Sequence, residues 1–322
     1  MENFKAMGNM KRLETLCIAG AVAVLAVSCG KEEAVREDGA SKVEFTASEL
    51  QVKTVFGEKA DGEYPVLWTS NEKVALFYNS QTGGQTGGGQ YADVLPSADG
   101  HTAGFSASFT DDGNGSHSFY AMSPLSALNW MGNEDWDGNG VNEKILYANI
   151  PHDQIPVPGT CDEKAQIVFA KEEFSEFPDK VDLTFSHMTA YGLITSLSLP
   201  EEATEIVGLT IESDKFLSGE IYCNYNTPET ILCNAKKAQK YIYLDVNNGG
   251  LKAKTLENVF FACTPQTDGN DVFGEGDYLK FTVYTDTDTW VKTVNFSADR
   301  TLAFKAGRIS SFSVSAHGFE KQ

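Results

Sequence analysis

Leu279-Lys280-Phe281-Thr282-Val283-Tyr284 places an apolar side chain at every second position, just after the turn-forming pair Gly276-Asp277. Successive side chains of a strand point to opposite faces, so this pattern buries one face of an antiparallel sheet and leaves the other wet. A surface helix would instead need apolar residues three and four apart. Working outward, comparable runs fall at 181–185, 193–199, 207–211, 241–246, 259–262, 290–296 and 309–314 in the second half. The first half repeats the pattern at 43–46, 66–69, 74–78, 105–109, 118–122 and 166–170. Gly, Asn, Asp and Pro separate the runs, the punctuation of antiparallel β-sandwiches. Helix signals are nearly absent, and at most 235–240 reads as a short helical turn.

The Gly-rich stretch 81–90 lacks the Lys and Ser or Thr of a phosphate loop and reads as a connecting loop. Longer loops are expected at 123–144 and 151–164. The acidic, Pro-containing stretch 171–180 separates two series of strands of similar length and is the expected domain joint. The sequence therefore divides into 1–28, 29–41, 42–175 and 176–322, the last two as tandem antiparallel sandwiches.

Of 322 residues, 41% are apolar and 11% aromatic, enough for substantial cores. Lys and Arg number 25 against 45 Asp and Glu, a formal charge of -20. Nucleic-acid affinity comes largely from cationic contacts to phosphates, so this charge argues against such a partner.

Lys11 and Arg12 precede an apolar run at 16–27, too short for a membrane span but of signal-peptide length. The run ends Leu25-Ala26-Val27-Ser28-Cys29, which resembles a bacterial lipobox, with Leu25 one place further from the cysteine than usual. The resemblance implies that residues 1–28 are removed and Cys29 carries a lipid. Gly30-Lys31-Glu32-Glu33 and the polar residues after it have too little apolar surface to fold and read as a tether. A Lys followed by two acids behind such a cysteine also resembles the surface-export signal of lipoproteins in the Bacteroidetes lineage. A location on the outer face of the outer membrane is implied.

Setting aside Cys17 and Cys29 leaves Cys161, Cys223, Cys233 and Cys263. Buried thiols and a bridge across the turn between Cys223 and Cys233 are both open. No cysteine has metal-ligand spacing to a histidine, so zinc has no support.

Val43-Glu44-Phe45-Thr46-Ala47, Lys53-Thr54-Val55-Phe56 and Val66-Leu67-Trp68 through Phe77 resemble the opening of Mfa-like fimbrillins. Phe119-Tyr120-Ala121 with Pro124, Ile150-Pro151 with Gln154, Phe185-Ser186-His187 and Phe304-Lys305-Ala306-Gly307-Arg308 resemble later family elements, in the right order. The resemblance implies an all-β fold of two tandem transthyretin-like, Greek-key sandwiches behind a lipoprotein signal peptide. It further implies a fimbrial component, anchored to the outer membrane by lipid, that pairs with other subunits by strand addition and acts in adhesion. Shaft subunits of the family polymerise after an Arg-specific protease removes a leading segment. Here Arg36 is the sole Arg between Cys29 and Arg300, and cleavage there would leave the strand from Val43 in place. An anchor, accessory or tip role fits that better than a shaft, unless cutting occurs at Lys53 or Lys59. Read from its residues alone, Trp68 is a core aromatic whose indole nitrogen finds one partner, and His187 is a structural histidine.

Asp135-Trp136-Asp137-Gly138-Asn139-Gly140 sets oxygen ligands at the first, third and fifth positions of a calcium-type loop, with Glu143 at the ninth. The twelfth position is Leu146, so the bidentate Glu is missing, and an Asx-rich turn reads the residues equally well. Calcium is the sole cofactor with any support. Trp130 and Trp136 in the same stretch suit contact with a glycan or a protein receptor, making a standalone glycan-binding lipoprotein the second reading. Gly-x-Ser-x-Gly, His-Glu-x-x-His and dinucleotide fingerprints are missing from the sequence, so no catalytic residues are expected.

Overall fold

The computed structural model describes residues 40–47, 55–56, 66–71, 73–79, 89–113, 115–135, 140–265 and 272–322. Among them there is no α-helix, and the chain folds as packed, mainly antiparallel sheets. The first sheet runs β13 (Lys180–Leu183), β1 (Ala40–Ala47), β7 (Ala103–Thr110), β6 (Leu95–Pro96), with β1 antiparallel to β7 and parallel to β13. The second runs β14 (Phe185–His187), β12 (Val168–Phe174), β8 (His117–Ser123), β4 (Lys73–Tyr78), β5 (Gln90–Asp93). Between them lies a core of Val43, Phe45, Phe105, Phe109, Leu76 and Phe119.

The third sheet is β18 (Leu232–Gln239), β17 (Ser218–Asn224), β10 (Glu143–Ile150), β9 (Leu128–Glu134). Its inner residues Met131, Leu146, Ala148 and Ile221 pack with Ala75, Phe77, Tyr120 and Phe169, which belong to the opposite face of the second sheet. Burial on both faces explains why Val74 to Tyr78 is apolar throughout rather than alternating. The fourth sheet is β11 (Asp153–Gln154), β19 (Tyr241–Leu244), β16 (Ile206–Ser213), β21 (Tyr278–Thr285), β22 (Thr289–Asn295), β24 (Glu320–Lys321). It faces the fifth, β20 (Thr255–Cys263), β15 (Ala190–Ser198), β23 (Ile309–Val314), across a core that includes Ile211, Phe281, Trp290, Ile194 and Phe261. A two-stranded pair, β2 (Val55–Phe56) with β3 (Val66–Leu67), completes the set.

In β21 the residues Leu279, Phe281 and Val283 are buried and their neighbours are half-buried, as the alternation requires. Other expectations need correction. The stretch 171–180 is not a joint: it begins inside β12 and ends in β13, and β13 pairs with β1 while β14 pairs with β12. Glu172 and Glu173 sit on β12, Glu176 and Asp179 in the short connection to β13, and the inward side chains Ala170, Val181 and Leu183 of the two strands belong to the first core. The expected loop at 123–144 contains β9 and the start of β10. The expected helical turn at 235–240 lies in β18, an edge strand whose Lys236 and Lys237 are exposed. Pairing to β17 overrides the helical preference of Ala and Lys, and charge on an edge discourages further pairing. Trp68 is buried against Phe185 at 5.2 Å, but its indole nitrogen finds no hydrogen-bond partner among the described residues.

All four described cysteines are free thiols, and Cys223 does not stand opposite Cys233, which pairs with Ile221. Burial pushes the Cys223 thiol from 9.0 up to about 12. Burial likewise moves the Tyr78 and Tyr225 hydroxyls from 10.0 to about 12; at Tyr78 the Asp112 backbone N–H works against the shift and the Asp112 carboxylate with it. A group whose folded value is raised supports the fold below its unfolded value and loses that support as pH climbs towards the folded one. The urea midpoint should therefore hold up to about pH 9 and fall steadily towards pH 12. A flat profile through that window would contradict the burial of these groups.

Candidate functional site

The outer face of the third sheet carries the densest group of side chains suited to ligand contact. Directly opposed residues of an antiparallel pair share a face. Tyr147 on β10 opposes Trp130 on β9 and Tyr222 on β17, so three rings line up across the strands. Their centroids are 6.1 Å and 5.7 Å apart, and all three are half-buried. Alternation sends Leu146 and Ala148 inward to the core and leaves Tyr147 and Asn149 outward. Trp130 lies flat because residue 132 is glycine: a Cβ there would stand 2.4 Å from Trp130 Cζ2.

Two bulges furnish the polar part. Between Tyr147 and Ala148 the β9 ladder skips Asn129, and an extra residue of this kind re-aims its side chain. Asn129 Nδ2 donates to Glu220 at 2.8 Å. On β18 the register jumps from Cys233 to Ala238 opposite Glu220, and the bulged segment supplies two more donors. Asn234 Nδ2 lies 2.7 Å and Lys237 Nζ 3.0 Å from the Glu220 carboxylate. Gly219, at φ 98°, lets β17 pass this bulge, since a Cβ there would meet the Lys237 carbonyl at 2.5 Å. Glu220 is only 3% exposed, and a buried carboxylate is tolerable when donors surround it. Burial first, and then the Glu134 carboxylate beside it, hold the Tyr147 hydroxyl well above the ordinary tyrosine range. The result is an open groove of about 820 Å³ lined by Trp130, Tyr147, Glu134, Asn133, Asn149 and the Glu220 cluster, with Tyr222 on the same face beside Tyr147.

No family model matches this chain, and no curated protein matches it. Solved structures match it at low identity. A proposed cell adhesion protein from Bacteroides ovatus is 12% identical, with a TM-score of 0.49 over 88% of this chain and 95% of that one. Another from Bacteroides thetaiotaomicron is 15% identical, with a TM-score of 0.42 over 86% and 92%. A fimbrial assembly protein from Parabacteroides distasonis is 10% identical, with a TM-score of 0.36 over 88% and 94%.

Of the residues singled out in the sequence, Cys29, Arg36, Trp136, Asp137 and Asn139 lie outside the described residues. Asp135 follows β9 and accepts a hydrogen bond from Gly140 N–H at 3.0 Å. Glu143 opposes Glu134 within the ladder. Trp130 belongs to a strand rather than a loop, so its ring is presented by a sheet. Tyr147, Tyr222 and Glu220 were not anticipated. The alternation of outward Tyr147 and Asn149 was a readable signal, but the bulges that collect donors around Glu220 were not.

Among the described residues one further cluster combines carboxylates and a histidine, Asp111, Asp112 and His117. His117 Nδ1 is 2.7 Å from the Tyr78 hydroxyl, Asn79 donates to Asp112 at 2.7 Å, and Gly113 N–H donates to Asp111 at 2.9 Å. These bonds tie the β7–β8 turn to the end of β4.

Proposed function

We propose that this chain is a lipid-anchored, surface-exposed fimbrillin-like protein, an anchor, accessory or tip component that works by strand-mediated assembly and adhesion and performs no catalysis. The observation that carries this reading is the position of β1. It is the first described strand, yet it lies inside its sheet, hydrogen-bonded on both edges to β7 and β13. Val43, Phe45 and Ala47 are essentially inaccessible. A strand that lies at the end of the fold in sequence but in the interior in space is one that another subunit's strand could replace.

Cleavage after Arg36 would leave three residues before Ala40 and β1 whole, so the groove would stay filled. That favours an anchor, accessory or tip role over a polymerising shaft. Towards the other end, β23 pairs among the described residues with β15 alone, at the edge of its sheet. Deleting 309–322 would also remove the buried Val314 and Phe319, so loss of assembly after that deletion would not report on the edge alone.

Mass spectrometry of the protein from the cells that make it, with a search for detergent-resistant ladders, tests the proposal. A lipidated Cys29 terminus in outer-membrane material is expected, either as monomers or at the base of fimbriae. An unprocessed Met1 terminus in the cytoplasmic fraction would overturn it.

A further inference from the structure

The outer face of the third sheet is a built groove, and we propose that it binds a neutral oligosaccharide. Three features point to that chemistry. The rings of Trp130, Tyr147 and Tyr222 form a continuous half-buried stripe on rigid strands. Flat apolar surfaces of this kind suit the C–H face of a pyranose, and their placement on a sheet limits the entropy lost on binding. Beside the stripe stand Asn149 and Asn133, exposed amides that can donate and accept at once, as a hydroxyl-rich ligand demands.

The third feature is charge. Glu134 and Glu220 against Lys237 leave the groove with a surplus of negative charge, in a chain whose formal charge is -20. Lys237 is also committed to Glu220 at 3.0 Å. Anionic glycans, phosphates and acidic peptides are therefore disfavoured, while uncharged sugars lose nothing. A groove of about 820 Å³ lies within the usual size range of small-ligand sites. The bonds from Asn129, Asn234 and Lys237 fix the Glu220 carboxylate before any ligand arrives.

The test uses the full chain on an array of neutral hexose and N-acetylhexosamine oligosaccharides, with sialylated glycans, sulfated glycans and unrelated peptides alongside. Binding to a neutral class is expected, and calorimetry on the best of them gives the affinity. Trp130→Ala should weaken that affinity at least about tenfold, from the loss of a stacking surface. Asn149→Arg, a change at an exposed position, should do the same by filling the groove, with the melting temperature unchanged. Failure to bind any neutral glycan, binding confined to charged glycans or peptides, or full affinity in both variants would overturn the proposal. None of these outcomes bears on the terminus and ladders that test fimbrial assembly.

Discussion

A chain beginning at residue 48 is expected to lose its N-terminal core, and a peptide spanning Ala40–Ala47 is expected to restore it. β1 contributes Val43, Phe45 and Ala47, each at most 1% exposed. Phe45 stacks on Phe105 at 5.6 Å and meets the edges of Phe109 and Phe119. Burial of a Phe or Val side chain is worth about 1.5–3 kcal/mol, and the empty space left behind adds to the cost. Loss of β1 leaves β13 without its ladder partner and β7 with only the short β6. The total exceeds about 5 kcal/mol, as large as the whole stability of many domains. Trp68 reports on this core and Trp290 on the C-terminal one, so fluorescence of variants that keep one of these two, with the other tryptophans, Trp130 and Trp136 included, replaced by Phe, reads the two cores separately.

In the truncated chain the environment of Trp290 should stay native while that of Trp68 becomes solvent-like. The peptide should reverse the change, and a peptide carrying Phe45→Asp should not. In the intact chain Phe45→Ala alone should cost about 3–5 kcal/mol. A truncated chain with a native Trp68 signal and no peptide would remove the basis for strand exchange at this position.

The alternation that identified β21 works because that strand is buried on one face only. Where a strand has a core on each side, as in β4, the period disappears, and only its flanking turns mark it. β17 and β18 escaped for a different reason. Ser218-Gly219-Glu220 looks like a turn and Ala235-Lys236-Lys237 like a helix, because their pairing rests on a long-range ladder from β17 to β10 and on a bulge. The joint at 171–180 was misread because the parallel pairing of β13 to β1 connects residues more than a hundred positions apart. No local pattern encodes such a contact. At the site, Trp130 was legible as a large aromatic in a polar stretch, whereas the ring stripe needed the register of three strands.

The family-like motifs turn out to be joints between elements. His187 bonds the Tyr191 hydroxyl at 2.8 Å and packs on Gly307, whose φ of 67° suits glycine and whose N–H donates to the Thr189 carbonyl at 2.9 Å. The segments at 185–187 and 304–308 thus meet where the chain passes from β14 to β15.

Gln154 shows how much one such joint holds. Its backbone pairs with β19 at the edge of the fourth sheet, and its carbonyl accepts from Asp245 N–H at 2.9 Å. Its side chain reaches the fifth sheet, where Nε2 donates to the Ala262 carbonyl at 2.7 Å and Oε1 accepts from Ala262 N–H at 3.0 Å. Nε2 also donates to the Pro151 carbonyl at 3.0 Å. One amide thus stands in for the strand that β20 lacks on its free edge, and Gln154 is only 1% exposed. Gln154→Leu keeps the bulk but strands two buried backbone groups of Ala262 and the partly buried Pro151 carbonyl, at about 1–3 kcal/mol for each buried group, so a loss of about 3–5 kcal/mol is expected. Gln154→Glu sharpens the argument. A carboxylate could still accept from Ala262 but would face two carbonyl oxygens with no hydrogen to offer, so burial and repulsion would raise its folded pKa. Its protonated form can donate to one of them. Stability of the Glu variant should therefore be greatest below the ordinary Glu value of about 4.3 and should fall as pH rises, while the parent shows no such term. Urea midpoints of the Leu and Glu variants between about pH 4 and 8 decide the matter. A Leu variant as stable as the parent, or a Glu variant that tracks it across that range, would mean that Ala262 finds other partners and that Gln154 does not hold the two sheets together.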